Sequence, residues 1–536
     1  MRSTVCIIGA GVAGITLALE LAKEGIEVTI LESGGFVADE ATRDLYRGEN
    51  VGLPYNFADG YRMRFLGGSS GGWGGWCSAW DPWDFEKRAW VPNSGWPFSL
   101  EELAPYYEQS HSVLQLGPLN FDPAFWESAI SNPLARRMPL VSGKVRDVIS
   151  QFSPPTRFGS AYRHDLQRAG RIRVFLHANV TNIETDGFGR NVMRVQVRTL
   201  EGHTLYVSAT LFVLATGGIE NARLMLVSNQ VQPAGLGNGH GLVGRYFMDH
   251  PRLLSGSVRF RADWARNHLY DIKFHHRKKS AVAALGTRIA SQLALEPQVL
   301  SKEGLLNSRV WFSSAFLGEG SEGAKAMYRR KQALLGRGQP HWKFGADLKA
   351  MASHPVNTLS YGLTRLIRLR SLVRDVKLQT ILEPAPDRES RVSLSTERDR
   401  LGMKRVRVDW RLGELERRTY NRTLQIIAEE LTQNGVAEVS ADPPLEEGCW
   451  PDDLEGSWHH MGTTRMHDSP THGVVDRNCR VHDMSNLYIA GSSVFPTGAA
   501  NHPTITIVAL TLRLADHIRS ALNHPPSLRA AITNQS

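Results

Sequence analysis

The sequence predicts an α/β fold with a mainly parallel sheet early in the chain. Because a mainly antiparallel sheet is expected in the middle, the whole chain is classed as α+β. Up to about Asp249, apolar strand-like runs alternate with helix-like segments, which is typical of a parallel sheet. From 251 to 445, apolar and polar residues alternate, as in half-buried antiparallel strands. A chain of 536 residues exceeds what one core usually organises. We therefore expect two domains, formed by 1–250 with 446–536 and by 251–445.

The first element is a β-α-β unit that contains a glycine fingerprint. An apolar run from Thr4 to Ile8 predicts a buried strand, and the glycine-rich turn 9–14 follows it and opens a helix from Ile15 to Glu24. A second apolar run, 26–31, ends at Glu32. This is the context in which such a fingerprint indicates a Rossmann-like nucleotide-binding domain.

Each residue of the fingerprint has a physical reason. Gly9 permits the tight turn, Gly11 lets the backbone approach a pyrophosphate, and Gly14 lets the helix pack closely on the strand. The helix N-terminus offers free N–H groups to the phosphates, and Glu32 can accept hydrogen bonds from ribose hydroxyls. The unit predicts a dinucleotide, with FAD and NAD both open, bound by Gly9, Gly11, Val12, Ala13, Gly14 and Glu32.

A second glycine-rich loop, 67–75, interleaves glycine and serine with Trp73. Such a loop suits a chain that passes closely over a flat ring and a diphosphate, whereas a flexible linker seldom carries tryptophan. Two later strand-like segments, 174–180 and 211–218, continue the nucleotide-side sheet, and a helix is expected from Ile219 to Val227. These segments add the predicted cofactor-binding residues Gly67, Gly68, Ser69, Ser70, Trp73, Gly74, Val180 and Ala215.

Composition excludes several classes of protein. The four cysteines are scattered without a CxxC pair, which argues against a zinc site, an iron–sulfur cluster and a disulfide framework. No apolar run reaches the length of about 18 residues that a transmembrane helix needs. Because an apolar strand follows Met1 directly, there is no room for a signal peptide, and we expect a cytoplasmic protein.

The net charge of +9 is concentrated in one stretch. Residues 321–380 contain twelve Lys or Arg against Glu322, Asp347 and Asp375. Leu363–Leu378 has apolar residues among arginines at roughly helical spacing, which predicts a basic amphipathic helix. A solvated helix face is the simplest interpretation, with contact to an anionic membrane or an acidic protein as the alternative. Nucleic acid is not expected, because no recognition module accompanies the charge.

The C-terminal segments carry a more specific pattern. Ser457-Trp-His-His-Met-Gly-Thr-Thr-Arg-Met466 leads to an apolar run ending in Gly491-Ser492, and Asn501-His-Pro-Thr504 opens a helix over 507–518. With the glycine fingerprint, these segments resemble the glucose-methanol-choline (GMC) oxidoreductase family. Residues 95–107 and 244–251 are similar to the branch with fructose dehydrogenase, the glycoside 3-oxidases and pyranose oxidase.

The resemblance implies FAD as cofactor and a pair of catalytic residues. It implies His459 as the catalytic base and His502 as the second polar residue, with His460 one position out of register. Some relatives attach FAD through a histidine in the glycine-rich loop, but Gly72 stands there, so the FAD is expected to be non-covalent. A helix start at Pro503 or Thr504 would direct N–H groups at the flavin, with Gly491 and Ser492 as further cofactor contacts.

The activity implied is oxidation of the CH–OH group of a sugar, glycoside or other small-molecule alcohol by hydride transfer to flavin N5. His459, near its ordinary pKa of about 6.5, would accept the alcohol proton. The electron acceptor stays open among oxygen, a quinone and a cytochrome partner. A flavin-containing lyase of the hydroxynitrile lyase type is the alternative from another class.

Overall fold

The computed structural model describes residues 2–57, 62–130, 132, 135–154, 156–264, 268–271, 283–316, 318–334, 344–367 and 373–523. The strands are β1 Arg2–Ile8, β2 Val28–Leu31, β3 Gly48–Asn50, β4 Trp76–Cys77, β5 Val145–Phe152, β6 Ile172–Phe175, β7 Asn179–Thr185, β8 Val192–Arg198, β9 Thr204–Leu214, β10 Pro251–Phe260, β11 Ala283–Ala284, β12 Thr287–Leu295, β13 Ser308–Phe316, β14 Val373–Leu382, β15 Arg391–Arg398, β16 Lys404–Asp409, β17 Ala437–Ala441, β18 Glu455–Gly456 and β19 Leu487–Ile489. The helices are α1 Val12–Lys23, α2 Glu40–Asp44, α3 Leu100–Leu114, α4 Pro123–Ala129, α5 Phe158–Ala161, α6 Arg163–Arg168, α7 Gly218–Val227, α8 Pro297–Glu303, α9 Glu322–Leu334, α10 Phe344–Ser353, α11 Pro355–Ile367, α12 Glu414–Gln433 and α13 Thr504–Asn523.

The predicted β-α-β unit begins a seven-stranded sheet. Its strand order is β6-β2-β1-β9-β8-β7, and β19 also pairs with β9. Strands β6, β2, β1, β9 and β19 are parallel, whereas β8 and β7 pair antiparallel. The carboxyl ends of β1, β2, β9 and β19 therefore meet at one edge, and Gly9, Glu32 and Ala215 follow three of them directly. Ligands of open parallel sheets bind at this edge.

The second large sheet is antiparallel, with the order β17-β10-β14-β13-β12-β5-β4 and with β11 and β18 at its margins. Its central strands are strongly buried; every residue of β13 except Ala315 is buried. The predicted combination of a nucleotide-binding α/β fold with a mainly antiparallel sheet is confirmed. The core is formed by two clusters, one around β1, α1 and α13 and one around β12, β13 and α12.

The predicted domain boundaries, 1–250 with 446–536 and 251–445, do not fully separate the strands of the two large sheets. Strands β4 and β5 lie within 1–250 but pair in the second sheet. Strand β3 pairs with β16 in a third, three-stranded sheet. The division of the chain into two domains stays a prediction.

Two local predictions are wrong. Residues 373–378 of the expected amphipathic helix Leu363–Leu378 belong to β14, which is flanked by β10 and β13. The pairing of both edges of β14 outweighs the helical spacing, which the local sequence alone displays. The strand-like segment 174–180 contains the end of β6 and the start of β7, separated by a turn in which His177 has φ 56°.

Helices α9, α10 and α11 form an insertion between β13 and β14. On α11 the spacing i, i+3, i+7 places Val356, Leu359 and Leu363 on one face, and their exposed fractions are 74%, 65% and 43%. Both interpretations of the basic 321–380 stretch, a solvated face and contact with a membrane or an acidic protein, stay open. Arg337, Lys343, Arg368 and Arg370 of that stretch lie outside the described residues. Within the described ranges, no helix combines the length and apolar character needed to cross a bilayer.

Candidate active site

A cavity of about 540 Å³ lies between the two large sheets. Its walls include the strand ends of the first sheet and side chains of β12, β13 and β14. Of the residues predicted from the sequence, all but Gly14 and Gly67 line it, namely Gly9, Gly11, Val12, Ala13, Glu32, Gly68, Ser69, Ser70, Trp73, Gly74, Val180, Ala215, His459, Gly491, Ser492, His502, Pro503 and Thr504.

The fingerprint glycines have the geometry that their predicted roles require. Gly9 has φ 105°, and a Cβ there would lie 2.6 Å from the carbonyl oxygen of Ala215. A Cβ on Gly14 would lie 2.0 Å from the Gly9 oxygen, so only glycine lets α1 pack this closely on β1. At Gly11 nothing lies within 4 Å of an added Cβ, so the missing side chain leaves open space at the start of α1.

The second glycine loop packs onto the first. A Cβ on Gly68 would approach the Gly11 Cα to 3.1 Å, and one on Gly67 would lie 2.4 Å from the Gly159 nitrogen. Gly67 therefore packs against α5 and does not line the cavity. The Trp73 indole donates to the Thr156 carbonyl at 2.9 Å, which fixes the ring at the cavity wall.

Glu32 is buried and its carboxylate accepts two backbone hydrogen bonds. The N–H of Ala10 donates to Oε2 at 2.8 Å and the N–H of Gly34 donates to Oε1 at 2.9 Å. Burial raises the pKa of Glu32, although these two N–H groups and Arg64 act to lower it. Each carboxylate oxygen keeps acceptor capacity for a ligand, because an ionised carboxylate has about four lone-pair sites.

A buried ion network, which we call the charged cluster, adjoins Glu32. It consists of Arg62, Arg64, Glu220, Arg223 and Asp399. Glu220 accepts hydrogen bonds from Arg62 at 2.9 Å and Arg64 at 2.7 Å and lies 3.3 Å from Arg223, which also pairs with Asp399 at 2.6 Å. Burial raises the pKa of Glu220, but the three arginines outweigh it and lower the pKa to about 2.

Sequence reasoning did not find the charged cluster. Arg64 and Glu220 line the cavity, yet they lie far apart in the chain and belong to no motif. The available signal was the position of Glu220 in the first turn of α7, where an acid is favourable to the helix dipole.

His459 is held by a second histidine, His250, which sequence analysis did not single out. The Nδ1 atoms of the two rings are 2.7 Å apart. Nε2 of His250 lies 2.9 Å from the Ala499 carbonyl oxygen and 3.1 Å from that of Gly498. Because a carbonyl only accepts hydrogen bonds, Nε2 of His250 carries the proton.

His502 and His459 lie side by side at the cavity wall. Their ring centroids are 5.2 Å apart in an edge-to-face arrangement, and the His502 ring stacks on Trp76 at 5.1 Å. The Trp76 ring in turn lies 6.2 Å from that of Trp311. We call His250, His459, His502, Trp76 and Trp311 the histidine cluster. It carries no formal charge when its histidines are neutral.

His460 also lines the cavity but is engaged elsewhere. Its Nε2 lies 2.7 Å from the Tyr55 hydroxyl, which donates to Asp249 at 2.5 Å. The Asp249 carboxylate also accepts hydrogen bonds from the backbone N–H groups of Trp458 and His459. His460 therefore belongs to a buried network that braces the segment carrying His459.

Burial makes these histidines weak bases. It lowers the pKa of His459 well below 6.5, and the neighbouring His250 and His502 lower it further. Burial lowers the pKa of His250 to about 4 and, with His250 nearby, that of His502 to about 3. The expectation that His459 titrates near 6.5 is therefore wrong, because the sequence does not reveal how completely the ring is withdrawn from water.

Comparison with known proteins agrees with this architecture. Residues 4–240 match the family model described as FAD dependent oxidoreductase, and residues 386–511 match that of GMC oxidoreductase. The chain is 25% identical to the 2-methyl-1,2-propanediol dehydrogenase of Mycolicibacterium austroafricanum, over 100% of this chain and 98% of that protein. It is 22% identical to the fructose dehydrogenase large subunit of Gluconobacter japonicus, over 97% and 98%. Formate oxidase of Aspergillus oryzae shares the fold, with a TM-score of 0.55, 17% identity and coverage of 97% and 99%.

The fold, the fingerprint and these matches define an FAD-dependent oxidoreductase. The chain combines an FAD dependent oxidoreductase domain with a GMC oxidoreductase domain. The cavity lining fits FAD, because a Cβ at Gly11 would meet only open space at the start of α1, and the start of α13 lies at the wall through Pro503 and Thr504.

Proposed function

We propose that the protein oxidises a CH–OH group of a sugar, glycoside or other alcohol to the carbonyl, with His459 as general base. Bound FAD would supply the hydride acceptor, at flavin N5. The observation that carries the proposal is the hydrogen bond between His250 and His459, because it selects the proton-accepting form of His459.

The argument follows from where the protons lie. His250 is neutral over the ordinary pH range and carries its proton on Nε2, so its Nδ1 is an acceptor. His459 Nδ1 must then be the donor in the 2.7 Å contact. Since neutral imidazole carries one proton, Nε2 of His459 keeps its lone pair. That nitrogen has no hydrogen-bond partner in the described part of the chain and is available to an alcohol.

The remaining residues position the reactants. His502 is adjacent to His459 and is suited to hold the same substrate oxygen. Gly9, Gly11, Gly68 and Glu32 are the residues that would hold the diphosphate and ribose of FAD. The free N–H groups at the start of α13 form a positive helix end, which favours negative charge on the group bound there.

The relatives support alcohol substrates. Two of them are named as dehydrogenases, of a propanediol and of fructose. They do not decide among oxygen, a quinone and a cytochrome as acceptor for this chain. The lyase alternative retains FAD and histidines but removes no hydride.

Anaerobic mixing of the purified protein with a panel of sugars, glycosides and simple alcohols tests the proposal. We expect bleaching of the oxidised flavin absorbance by at least one alcohol, followed by reoxidation with oxygen, a quinone or cytochrome. Cleavage of a cyanohydrin with no bleaching by any alcohol would favour the lyase.

The form of attachment has its own test. Because Gly72 offers no nucleophile, acid precipitation should release all FAD into the supernatant. Yellow colour retained in the washed pellet would show a covalent bond.

A further inference from the structure

Three polar side chains form a row across neighbouring strands of the second sheet. Leu293 of β12 is paired with Val310 of β13, and Gln292 and Trp311 are the residues next to this pair on the same side of it. Trp311 is directly opposite Gln379 on β14. Directly opposite residues of antiparallel strands project from the same face of a sheet. All three line the cavity, and we call them the polar row.

The amide of Gln292 is oriented by two serines. Ser150 donates its hydroxyl proton to Oε1 of Gln292 at 3.1 Å, and Ser150 and Ser78 are hydrogen-bonded at 2.5 Å. Ser150 has one proton to donate, so Ser78 is the donor to Ser150. Nε2 of Gln292 is thereby left as a buried donor without a protein partner, in a side chain that is 1% exposed.

Trp311 provides a second buried donor. Its residue is 5% exposed and its Nε1 has no hydrogen-bond partner. Through Trp76 the Trp311 ring is one ring away from His502. Buried donors are normally paired, so two orphaned donors in one row beside the reacting histidines indicate a ligand that supplies acceptors.

The charged residues that line the cavity indicate which functional groups such a ligand can present to the polar row. Among the described lining residues the carboxylates are Glu32 and Glu220, and both are engaged, one by backbone N–H groups and the other in the charged cluster. Arg252, which is ion-paired with Glu455, also lines the cavity and is one of the smaller causes that lower the pKa of His459 and His502. The surroundings of the polar row therefore favour oxygen acceptors over a cationic amine.

We infer that Gln292 and Trp311, with Gln379 beside them, form a subsite for an oxygen atom on a carbon other than the one oxidised. This inference rests on the proposed function. It makes the substrate a neutral polyol or glycoside and excludes plain monoalcohols and protonated amino sugars as good substrates. The subsite fixes which hydroxyl reaches His459, because a second anchored oxygen removes a rotational freedom of the substrate.

Matched substrates test the subsite. Flavin reduction would be measured with trans-cyclohexane-1,2-diol, cyclohexanol and trans-2-aminocyclohexanol, and with a methyl pyranoside. Wild-type enzyme should prefer the diol over cyclohexanol by about a hundredfold or more in kcat/KM, because a site built to hydrogen-bond a hydroxyl rejects the analogue that lacks it. The amino alcohol should be poorer than the diol.

The variants Trp311→Phe and Gln292→Leu each remove one donor. Each should lower kcat/KM for the diol roughly tenfold more than kcat/KM for cyclohexanol, because the usual effect of one hydrogen bond is lost only with the diol. Trp410→Phe is the matched control, since its buried indole nitrogen is also unpartnered but does not line the cavity. Trp410→Phe should leave kcat/KM unchanged for both the diol and cyclohexanol.

The outcomes separate the two hypotheses. Equal loss with diol and cyclohexanol in both donor variants, or no loss, would overturn the subsite while leaving alcohol oxidation intact. If no alcohol bleaches the flavin, the proposed function fails; the subsite is then tested by the shift of the flavin absorbance on titration with the diol. A shift that weakens in Trp311→Phe and Gln292→Leu supports it, and an absent or unchanged shift overturns it.

Discussion

The charged cluster and the histidine cluster border the same cavity but stabilise their surroundings in opposite ways. Around Glu220 the protein buries full charges and compensates them with three arginines. Around His459 burial suppresses charge instead, and the rings stay neutral. One cavity can thus border both a set of buried, paired charges and a set of neutral imidazoles, because the two sets belong to separate hydrogen-bond networks.

Removing His459, the proposed base, should give the largest effect. His459→Ala should lower the rate of flavin reduction by about two to four orders of magnitude, the usual contribution of general-base catalysis, while FAD binding is retained. Stopped-flow absorbance under anaerobic conditions measures it.

The neighbouring histidines provide the controls for that variant. His460→Ala should lose far less, because His460 is bound to Tyr55. The double variant His459→Ala/His502→Ala should lose less than the product of the single effects, because both residues are proposed to act on one substrate oxygen. Near-normal reduction in His459→Ala with collapse in His460→Ala would mean that the base is misassigned.

The charged cluster should govern stability. Glu220→Ala leaves the buried guanidinium groups of Arg62 and Arg64 without their carboxylate, and it should lower the free energy of unfolding by about 3–5 kcal/mol. Urea denaturation followed by tryptophan fluorescence measures it. Glu27→Ala breaks the exposed pair with Arg171 and should cost at most about 1 kcal/mol. Similar values for both variants would contradict the special role of the cluster.

Glu32 should affect cofactor affinity more than chemistry. Glu32→Ala removes the proposed acceptor for the ribose and should raise the dissociation constant of FAD about tenfold to a hundredfold. Glu24→Ala, at the exposed end of α1, is the control. Equilibrium dialysis of the variants gives the comparison, and full FAD occupancy of Glu32→Ala after extensive dialysis would refute the assignment.

The pH profile should show the smallest change. Because the pKa of His459 lies well below 6.5, the base is already neutral at pH 6.5, and flavin reduction should be nearly constant from there to pH 8. The rate should fall only in more acidic solution, as the ring gains a proton. Stability should decline on the same side, since below pH 6.5 the unfolded chain takes up protons that the buried rings do not. A rate that rises steeply between pH 6 and 7 would contradict this.

Much of the nucleotide side could be predicted because its signals are local. Gly9, Gly11 and Gly14 lie within six residues and their roles follow from backbone geometry. The histidine cluster was found only in part: His459 and His502 come from a resemblance, whereas the contact with His250 joins residues 209 positions apart. A contact between residues so far apart in the chain leaves no periodic pattern in the sequence from which it could be predicted.

The same reasoning explains the failures. Arg62 and Arg64 of the charged cluster meet Glu220 across more than 150 residues, so only the fold brings them together. The first part of β14, residues 373–378, looked helical because local spacing says nothing about neighbours on both edges. Burial, which sets the pKa of His459, is likewise a property of the assembled sheets.

The cavity takes its walls from both large sheets, and this has a thermodynamic consequence. A molecule that binds there stabilises the native state by mass action, by about 2.7 kcal/mol when its free concentration is a hundred times its dissociation constant. FAD bound in this cavity would therefore stabilise the packing of the two large sheets against each other. The melting temperature should rise with added FAD, and protein stripped of its cofactor should unfold at the lowest temperature.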